Sequence, residues 1–214
     1  MFTRKILKLW TTLLLIFGLT ASAQAALIDR GGGLIYDTDF NITWLQDANY
    51  AKTSGYDTDG FMTWSAAMTW ADGLVYAGYS DWRLPTALNQ DGSGPCNGNN
   101  CTGSEMGHLY FTELGNIAYP NPGWGLTNTG PFTTLLSYVF WSGTEYAPNP
   151  VFAWGFDFGG GRQDYYYKDG SGGYPFAWAV RPGDSAAVPE PGTLFLLGTG
   201  LSGLAGLRRW RGRR

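Results

Sequence analysis

Phe152-Ala-Trp-Gly-Phe-Asp-Phe158 alternates aromatic residues with small or polar ones. A period of two is typical of a β-strand, in which alternate side chains share one face. The aromatic residues Phe152, Trp154, Phe156 and Phe158 are therefore expected on the same side. Gly-rich turns separate this run from three other β-prone runs, which are residues 139–142, 164–167 and 176–181. Together they predict a small antiparallel sheet in the C-terminal half.

Two helices are predicted upstream of these strands. In residues 62–74 the apolar positions follow helical spacing, Thr63 is a possible N-cap and Gly73 lies near the expected end. The second helix is predicted from the N-cap Ser104 to Gly115. Its inward-facing residues are expected to be Met106, Leu109, Tyr110 and Leu114. The predicted fold class is α+β, with two helices packed on a small antiparallel sheet in an irregular domain rich in Gly and aromatic residues.

Residues 34–36 and 42–45 predict a hairpin whose turn is Asp37-Thr-Asp-Phe-Asn41. The turn also begins like a calcium loop, but Ile42 stands where that loop needs Gly and no acidic residue closes it. A plain turn is favoured. His108 is the only His; it lies off the apolar helix face with no evident carboxylate or Cys partner, and we expect it to be solvated. The sequence therefore predicts no metal site and no cofactor.

The N-terminus has the pattern of a signal peptide. Arg4, Lys5 and Lys8 precede an apolar run over residues 9–19. Ala21-Ser-Ala23 and Ala23-Gln-Ala25 then offer small residues to signal peptidase, and cleavage is expected after Ala25. Residues 1–25 are therefore predicted to direct export. A retained N-terminal anchor is the alternative.

A short spacer from residue 185 leads to Val188-Pro-Glu-Pro191, an apolar segment over 193–207 and a basic end over 208–214. Pro189 and Pro191 fix φ and keep the motif around Glu190 extended. A helix over 193–207 would be about 22 Å long at roughly 1.5 Å per residue, short for a bilayer core of about 30 Å. The whole tail resembles the PEP-CTERM sorting signal of Gram-negative bacteria. That resemblance implies transient insertion into the inner membrane and processing by an exosortase; an ordinary single-pass anchor is the alternative.

The charge of the region between these ends excludes several partners. One of the seventeen acidic residues lies in the tail, and eight of the fourteen basic residues lie in the two ends. Residues 26–187 therefore hold sixteen acidic and six basic side chains, a net charge of about −10. Such a surface repels nucleic acid and anionic lipid. The high aromatic content predicts an ordered domain.

Two further features predict local structure. Cys96 and Cys101 flank a polar loop and are expected to form a disulfide in an oxidising compartment. Arg83 lies between Trp82 and Leu84, where stacking on an aromatic ring and a buried carboxylate or carbonyls would hold it.

Three blocks of sequence resemble the Lcl C-terminal domain family. They are residues 34–45, Gly78-Tyr-Ser-Asp-Trp-Arg-Leu-Pro-Thr86, and Phe140-Trp-Ser-Gly-Thr-Glu-Tyr146 through Ala179-Val-Arg181. The resemblance implies a C-type-lectin-like domain over residues 26–184 that binds a ligand outside the cell. Collagen-like repeats are absent, the Cys96–Cys101 loop is an insertion, and the acidic charge argues against sulfated glycans.

The favoured hypothesis is a non-catalytic binding protein of the cell surface, the exopolysaccharide matrix or the medium. Aromatic rings stack on sugars while polar groups orient the hydroxyls. The candidate contacts are Trp124, Tyr146, Tyr165, Tyr166 and Tyr167. One alternative is a structural or ice-associated surface protein. Another is an enzyme related to the formylglycine-generating fold or acting on glycans, but no nucleophile or acid pair stands out and no catalysis is expected.

Overall fold

A computed structural model describes residues 27–185. The predicted signal peptide with Ala23 and Ala25, and the tail with Val188, Pro189, Glu190 and Pro191, lie outside the described residues. Within residues 27–185, no helix is both long and apolar enough to cross a membrane.

The first sheet has four antiparallel strands in the order β1-β2-β3-β8. Its members are β1 (Leu27–Gly31), β2 (Leu34–Asp37), β3 (Ile42–Leu45) and β8 (Val180–Pro182). β2 and β3 confirm the predicted hairpin, and Asp37 pairs with Ile42 across it. The turn is closed by Asp37, whose Oδ1 accepts hydrogen bonds from the backbone N–H groups of Asp39 and Phe40.

The second sheet also has four antiparallel strands, in the order β4-β7-β6-β5. Its members are β4 (Gly98–Asn99), β5 (Val139–Glu145), β6 (Phe152–Asp157) and β7 (Arg162–Tyr167). The predicted strands are present, but the expectation of one sheet was wrong. The end of the final run, 176–181, joins the hairpin through β8, whereas its first residue, Phe176, forms an isolated parallel bridge with Phe140 of the second sheet.

The helices are short. They are α1 (Tyr50–Thr53), α2 (Trp64–Asp72), α3 (Glu105–His108) and a π-helical turn (Leu109–Glu113) that continues α3. Both predicted N-caps are confirmed, since Thr63 accepts from the N–H of Ala66 and Ser104 accepts from the N–H of Gly107. The structure contains both helices and antiparallel strands, as the α+β prediction requires, but it is mostly β and has two sheets.

The segment 176–180 connects the two sheets. At one end, Phe176 exchanges backbone hydrogen bonds of 2.9 Å with Val139 and Trp141 of β5. At the other end, Ala179 accepts a hydrogen bond of 3.1 Å from the N–H of Leu45 in β3. Between them the buried indole of Trp178 donates to the carbonyl of Leu45 at 2.8 Å. The aromatic core therefore lies where this segment passes between the sheets.

An ion pair with a buried carboxylate fixes the start of α3. Glu105 is buried and accepts hydrogen bonds from both terminal nitrogens of the Arg83 guanidinium group, at 2.6 and 2.9 Å, and from the N–H of Thr86 at 2.7 Å. The expected carboxylate partner of Arg83 is therefore found. Two other Arg side chains lie over aromatic rings among the described residues: Arg181, 3.9 Å from the centre of the Tyr79 ring, and Arg30, 5.2 Å from that of Tyr36.

Replacing Glu105 with Ala should lower the free energy of unfolding by about 2–3 kcal/mol, because it leaves a guanidinium and the N–H of Thr86 without their partner. The expected loss of stability is modest because the Arg83 side chain is partly exposed, so that water can hydrogen-bond to its guanidinium group in the variant. Chemical denaturation measures the change. Glu145→Ala is the matched control, since it breaks an exposed pair with Lys168 and should cost less than about 1 kcal/mol. If both variants lost the same free energy of unfolding, the Arg83–Glu105 pair would be no more important to stability than the exposed pair.

Burial raises the pKa of Tyr110 to about 12, and the negative charge of Asp157 adds to the effect. An unfolded Tyr ionises near pH 10, so the unfolded state releases this proton first as the pH rises. We expect the free energy of unfolding to fall between about pH 10 and pH 12. Tyr110→Phe should flatten this fall in denaturation curves measured across the range; an unchanged slope would refute the assignment.

Candidate functional site

A surface cavity of about 650 Å³ lies beside the end of β6 and the start of β7. Its volume is within the range of small-ligand sites, roughly 300–1,000 Å³. Three exposed aromatic side chains line it: Trp124 (49 % exposed), Tyr119 (53 %) and Tyr138 (39 %). The polar side chains of its lining are Asn99, Ser137, Asp157 and Arg162. Trp124, which the sequence predicts as a ligand contact, therefore lies in the wall of this cavity.

Tyr119 and Trp124 form two walls at a right angle. Their ring centroids are 5.1 Å apart and the ring planes meet at 89°. Both belong to the loop after the π-helical turn, where the N–H of Gly125 donates to the carbonyl of Ile117 at 3.0 Å. Large aromatic rings on a fixed loop give contact area at a low cost in side-chain entropy.

Asn116 fixes the base of this loop. Its buried side-chain carbonyl accepts from the N–H groups of Thr127 and Asn128, both at 2.9 Å, and from the hydroxyl of Thr127 at 3.1 Å. Its amide nitrogen donates to the carbonyl of Asn128 at 2.9 Å. With both ends of the loop joined to one side chain, the aromatic walls are held in place before a ligand arrives.

The β6–β7 turn forms the floor of the cavity. The N–H of Tyr119 donates to the carbonyl of Gly160 at 3.0 Å, which docks the loop onto the turn. Gly161 has φ of +66°, and a Cβ there would lie 2.8 Å from the Tyr110 ring and 3.0 Å from the backbone of Ala118. Only Gly allows the turn and loop to approach this closely.

The disulfide loop completes one side of the cavity. Cys96 and Cys101 are joined as predicted, with their Cα atoms 5.7 Å apart. The two-residue strand β4 lies inside the ring and pairs Asn99 with Arg162. The side chain of Asn99 donates to the carbonyl of Tyr119 at 2.8 Å. The disulfide loop therefore supplies a polar group to the cavity and supports its aromatic wall.

Tyr146, Tyr165 and Tyr167 belong to a separate aromatic patch on the outer face of β6 and β7. The rings of Tyr146 and Tyr165 stack with centroids 4.1 Å apart and an interplanar angle of 18°. Tyr167 lies 4.3 Å from the ring of Phe152. The stacked rings of Tyr146 and Tyr165 therefore cover part of one another's faces.

Tyr166 points to the opposite face of β7. It packs against the core, and its ring lies 6.3 Å from that of the buried Trp141. Burial raises the pKa of its phenol, and the negative charge of Asp157 contributes in the same direction. The alternation of side chains along a strand already separates Tyr166 from Tyr165 and Tyr167. Tyr166 therefore does not share a face with the candidate contacts Tyr165 and Tyr167.

His108 has carboxylate partners, so the prediction that it is solvated and unpaired was wrong. Its Nε2 lies 3.3 Å from Oε1 of Glu113 and 3.4 Å from Oδ2 of Asp39. An oxygen of Asp37 belongs to the same cluster, in which the groups of Asp37, His108 and Glu113 lie within 4.8 Å of one another. We call these three residues the carboxylate–histidine cluster.

The surroundings raise the pKa of both acids in this cluster. Burial raises the pKa of Asp37, although the N–H of Phe40 and the charge of His108 oppose the effect. Burial likewise raises the pKa of Glu113, and the negative charge of Asp37 raises it further. Burial therefore favours the protonated, uncharged form of both acids.

The sequence did not reveal several members of these sites. Tyr119 lies in the loop that drew attention to Trp124, so an exposed aromatic residue in a Pro- and Gly-rich loop was an available signal. Asp157 and Arg162 lie together at the cavity because they are paired across the β6–β7 hairpin. Asp37 and His108 lie on distant elements, and no spacing rule relates them.

Comparison with known families finds the PEP-CTERM protein-sorting motif over residues 187–214. Neither the curated proteins nor the solved structures include a significant match, and the resemblance of residues 34–183 to the Lcl C-terminal domain family gains no support. The motif match agrees with the tail predicted from Val188-Pro-Glu-Pro191. It implies an exported, cell-surface-directed protein that an exosortase sorts.

Proposed function

We propose that this exported protein binds polysaccharide at or near the cell surface, through the cavity between Tyr119 and Trp124. The observation that supports this is the pair of perpendicular, half-exposed rings above a floor of polar side chains. The apolar faces of a sugar ring stack on aromatic walls, while its hydroxyls bond to amides, hydroxyls and carboxylates. Sorting by an exosortase is consistent with such a surface role.

The charges at the cavity favour neutral sugars. Asp157 brings one negative charge, and its Oδ1 accepts from the N–H of Gly159 at 2.8 Å. Arg162 brings one positive charge but is held by Asp164 through bonds of 2.6 and 3.0 Å. A polyanionic chain would meet no excess of positive charge here, and the acidic surface around it would repel that chain.

The proposed binding is non-catalytic. Hydrolysis of a glycosidic bond normally requires two carboxyl groups on either side of that bond. Among the described lining residues, Asp157 is the one carboxylate. This composition suits recognition better than hydrolysis.

Tyr119→Ala and Trp124→Ala should each weaken binding to neutral exopolysaccharide. Loss of one stacking surface is expected to raise Kd about tenfold, or roughly 1.4 kcal/mol. Isothermal titration calorimetry with the purified protein and the producing cell's own polysaccharide, size-fractionated, measures this change.

Tyr56→Ala is the matched control, because Tyr56 is 56 % exposed and lies outside the cavity lining. Its affinity should equal that of the unmodified protein. No binding by the unmodified protein, or an equal loss in all three variants, would refute a specific site at Tyr119 and Trp124. Release of reducing ends from the polysaccharide would instead indicate an enzyme.

Glu190→Ala should block processing of the tail, because it alters the acidic centre of the sorting motif. Uncut precursor is expected to accumulate in the inner membrane, where fractionation and mass spectrometry of the C-terminus would detect it. Glu145→Ala changes an exposed acid of the folded region and should be processed normally. Normal release of the Glu190 variant would contradict motif-dependent sorting.

A further inference from the structure

We propose that the carboxylate–histidine cluster of Asp37, His108 and Glu113 binds a divalent transition-metal ion, with Zn²⁺ as the best fit. The site lies between the β2–β3 turn and the π-helical turn, apart from the aromatic cavity. It would join two segments that are distant in the sequence. This inference does not depend on the proposed polysaccharide binding.

The first argument is a buried oxygen without a partner. Asp37 is fully buried, and its Oδ1 accepts the two backbone hydrogen bonds of the turn. Within the described part of the chain, neither its Oδ2 nor the buried indole N–H of Trp44 has a hydrogen-bond partner of ordinary geometry, although the Trp44 side chain acts on the Asp37 carboxyl group and opposes the rise in its pKa. A buried carboxylate oxygen left in this way carries a large desolvation cost, which a metal–oxygen bond would offset.

The second argument is charge. Seven ion pairs are found among residues 27–185, and in none of them does an Arg or Lys reach Asp37, Asp39 or Glu113. His108 supplies at most one positive charge to three acids. A divalent ion would supply the positive charge that these acids lack.

The third argument is geometry and donor type. Ligand atoms about 2.0–2.1 Å from a tetrahedral zinc ion lie about 3.3–3.4 Å from one another. The distance from His108 Nε2 to Glu113 Oε1 is 3.3 Å, and the ligand atoms of Asp37, His108 and Glu113 all lie within 4.8 Å of one another. Small shifts of these side chains would bring all three to the spacing of zinc ligands. An imidazole nitrogen with carboxylate oxygens suits zinc and its neighbours, whereas calcium takes oxygen ligands alone.

The π-helical turn explains how His108 and Glu113 come together. Its backbone bonds join residues five apart, as in the 2.9 Å bond from the N–H of Leu114 to the carbonyl of Leu109. Residues five apart then lie above one another, whereas an α-helix aligns residues three or four apart. Such turns are frequent at functional sites.

Few other residues of the chain could bind zinc and so give the same experimental result. His108 is the single His of the chain, and both Cys residues form the disulfide. A zinc site that uses a nitrogen ligand must therefore include His108. The full-length chain, prepared in mild detergent without a polyhistidine tag and stripped with a chelator, should bind one Zn²⁺ per chain by calorimetry. Zn²⁺ should also raise the midpoint of thermal unfolding, and Ca²⁺ should not.

His108→Gln and Glu113→Gln should each weaken zinc binding by more than about 100-fold, since loss of even an outer-shell partner costs roughly 10–100-fold. Glu145→Gln, an exposed acid elsewhere, should bind like the unmodified chain. Circular dichroism establishes that each variant is folded. If a variant fails to fold, Co²⁺ bound to the unmodified chain gives a second reading, because a nitrogen ligand changes its visible spectrum.

The proposal is overturned if the unmodified chain does not bind Zn²⁺ supplied in large excess. It is also overturned if folded His108→Gln binds as tightly as the unmodified chain, or if bound Co²⁺ shows only oxygen ligands. In each of these cases the cluster would be an ion pair of His108 with its acids. Loss of zinc binding in both cluster variants, with retention in Glu145→Gln, establishes the site.

Discussion

The backbone of residues 176–180 is the connection on which the two sheets depend. Phe176 bonds to β5 of the second sheet, and Ala179 bonds to β3 of the first, so a single extended segment satisfies polar groups of both. Trp178 lies between these points and donates its indole N–H to Leu45. Buried backbone groups must find partners, and this segment supplies them where the sheets meet. The aromatic core and the cavity rest on that arrangement.

Local signals in the sequence predicted local structure correctly. Thr63 and Ser104 cap their helices because a hydroxyl in the first position satisfies a free N–H, whatever the rest of the fold does. The hairpin around Asp37 and the disulfide of Cys96 are similarly short-range. The assignment of β8 to the first sheet was not predictable in this way. Residues 176–181 have the composition of a strand, but their partner is chosen by packing between distant elements.

The two sites show the same difference between local features, which the sequence predicts, and long-range contacts, which it does not. Trp124 was identifiable because exposed loops on rigid domains often hold binding residues. Its partners Tyr119 and Arg162 depend on how the loop and the β6–β7 turn dock through Gly161. The environment of His108 was hidden because its acids come from another sheet and from a π-helical turn. An α-helical pattern would place residue 113 away from residue 108, and this misled the interpretation of His108.

α3 and the π-helical turn support both sites from opposite sides. Tyr110 faces the sheet, where its hydroxyl donates to Ile117 at the base of the aromatic loop. His108 and Glu113 face the turn of the first hairpin. The extra residue in the π-helical turn lets one short element present both sets of side chains.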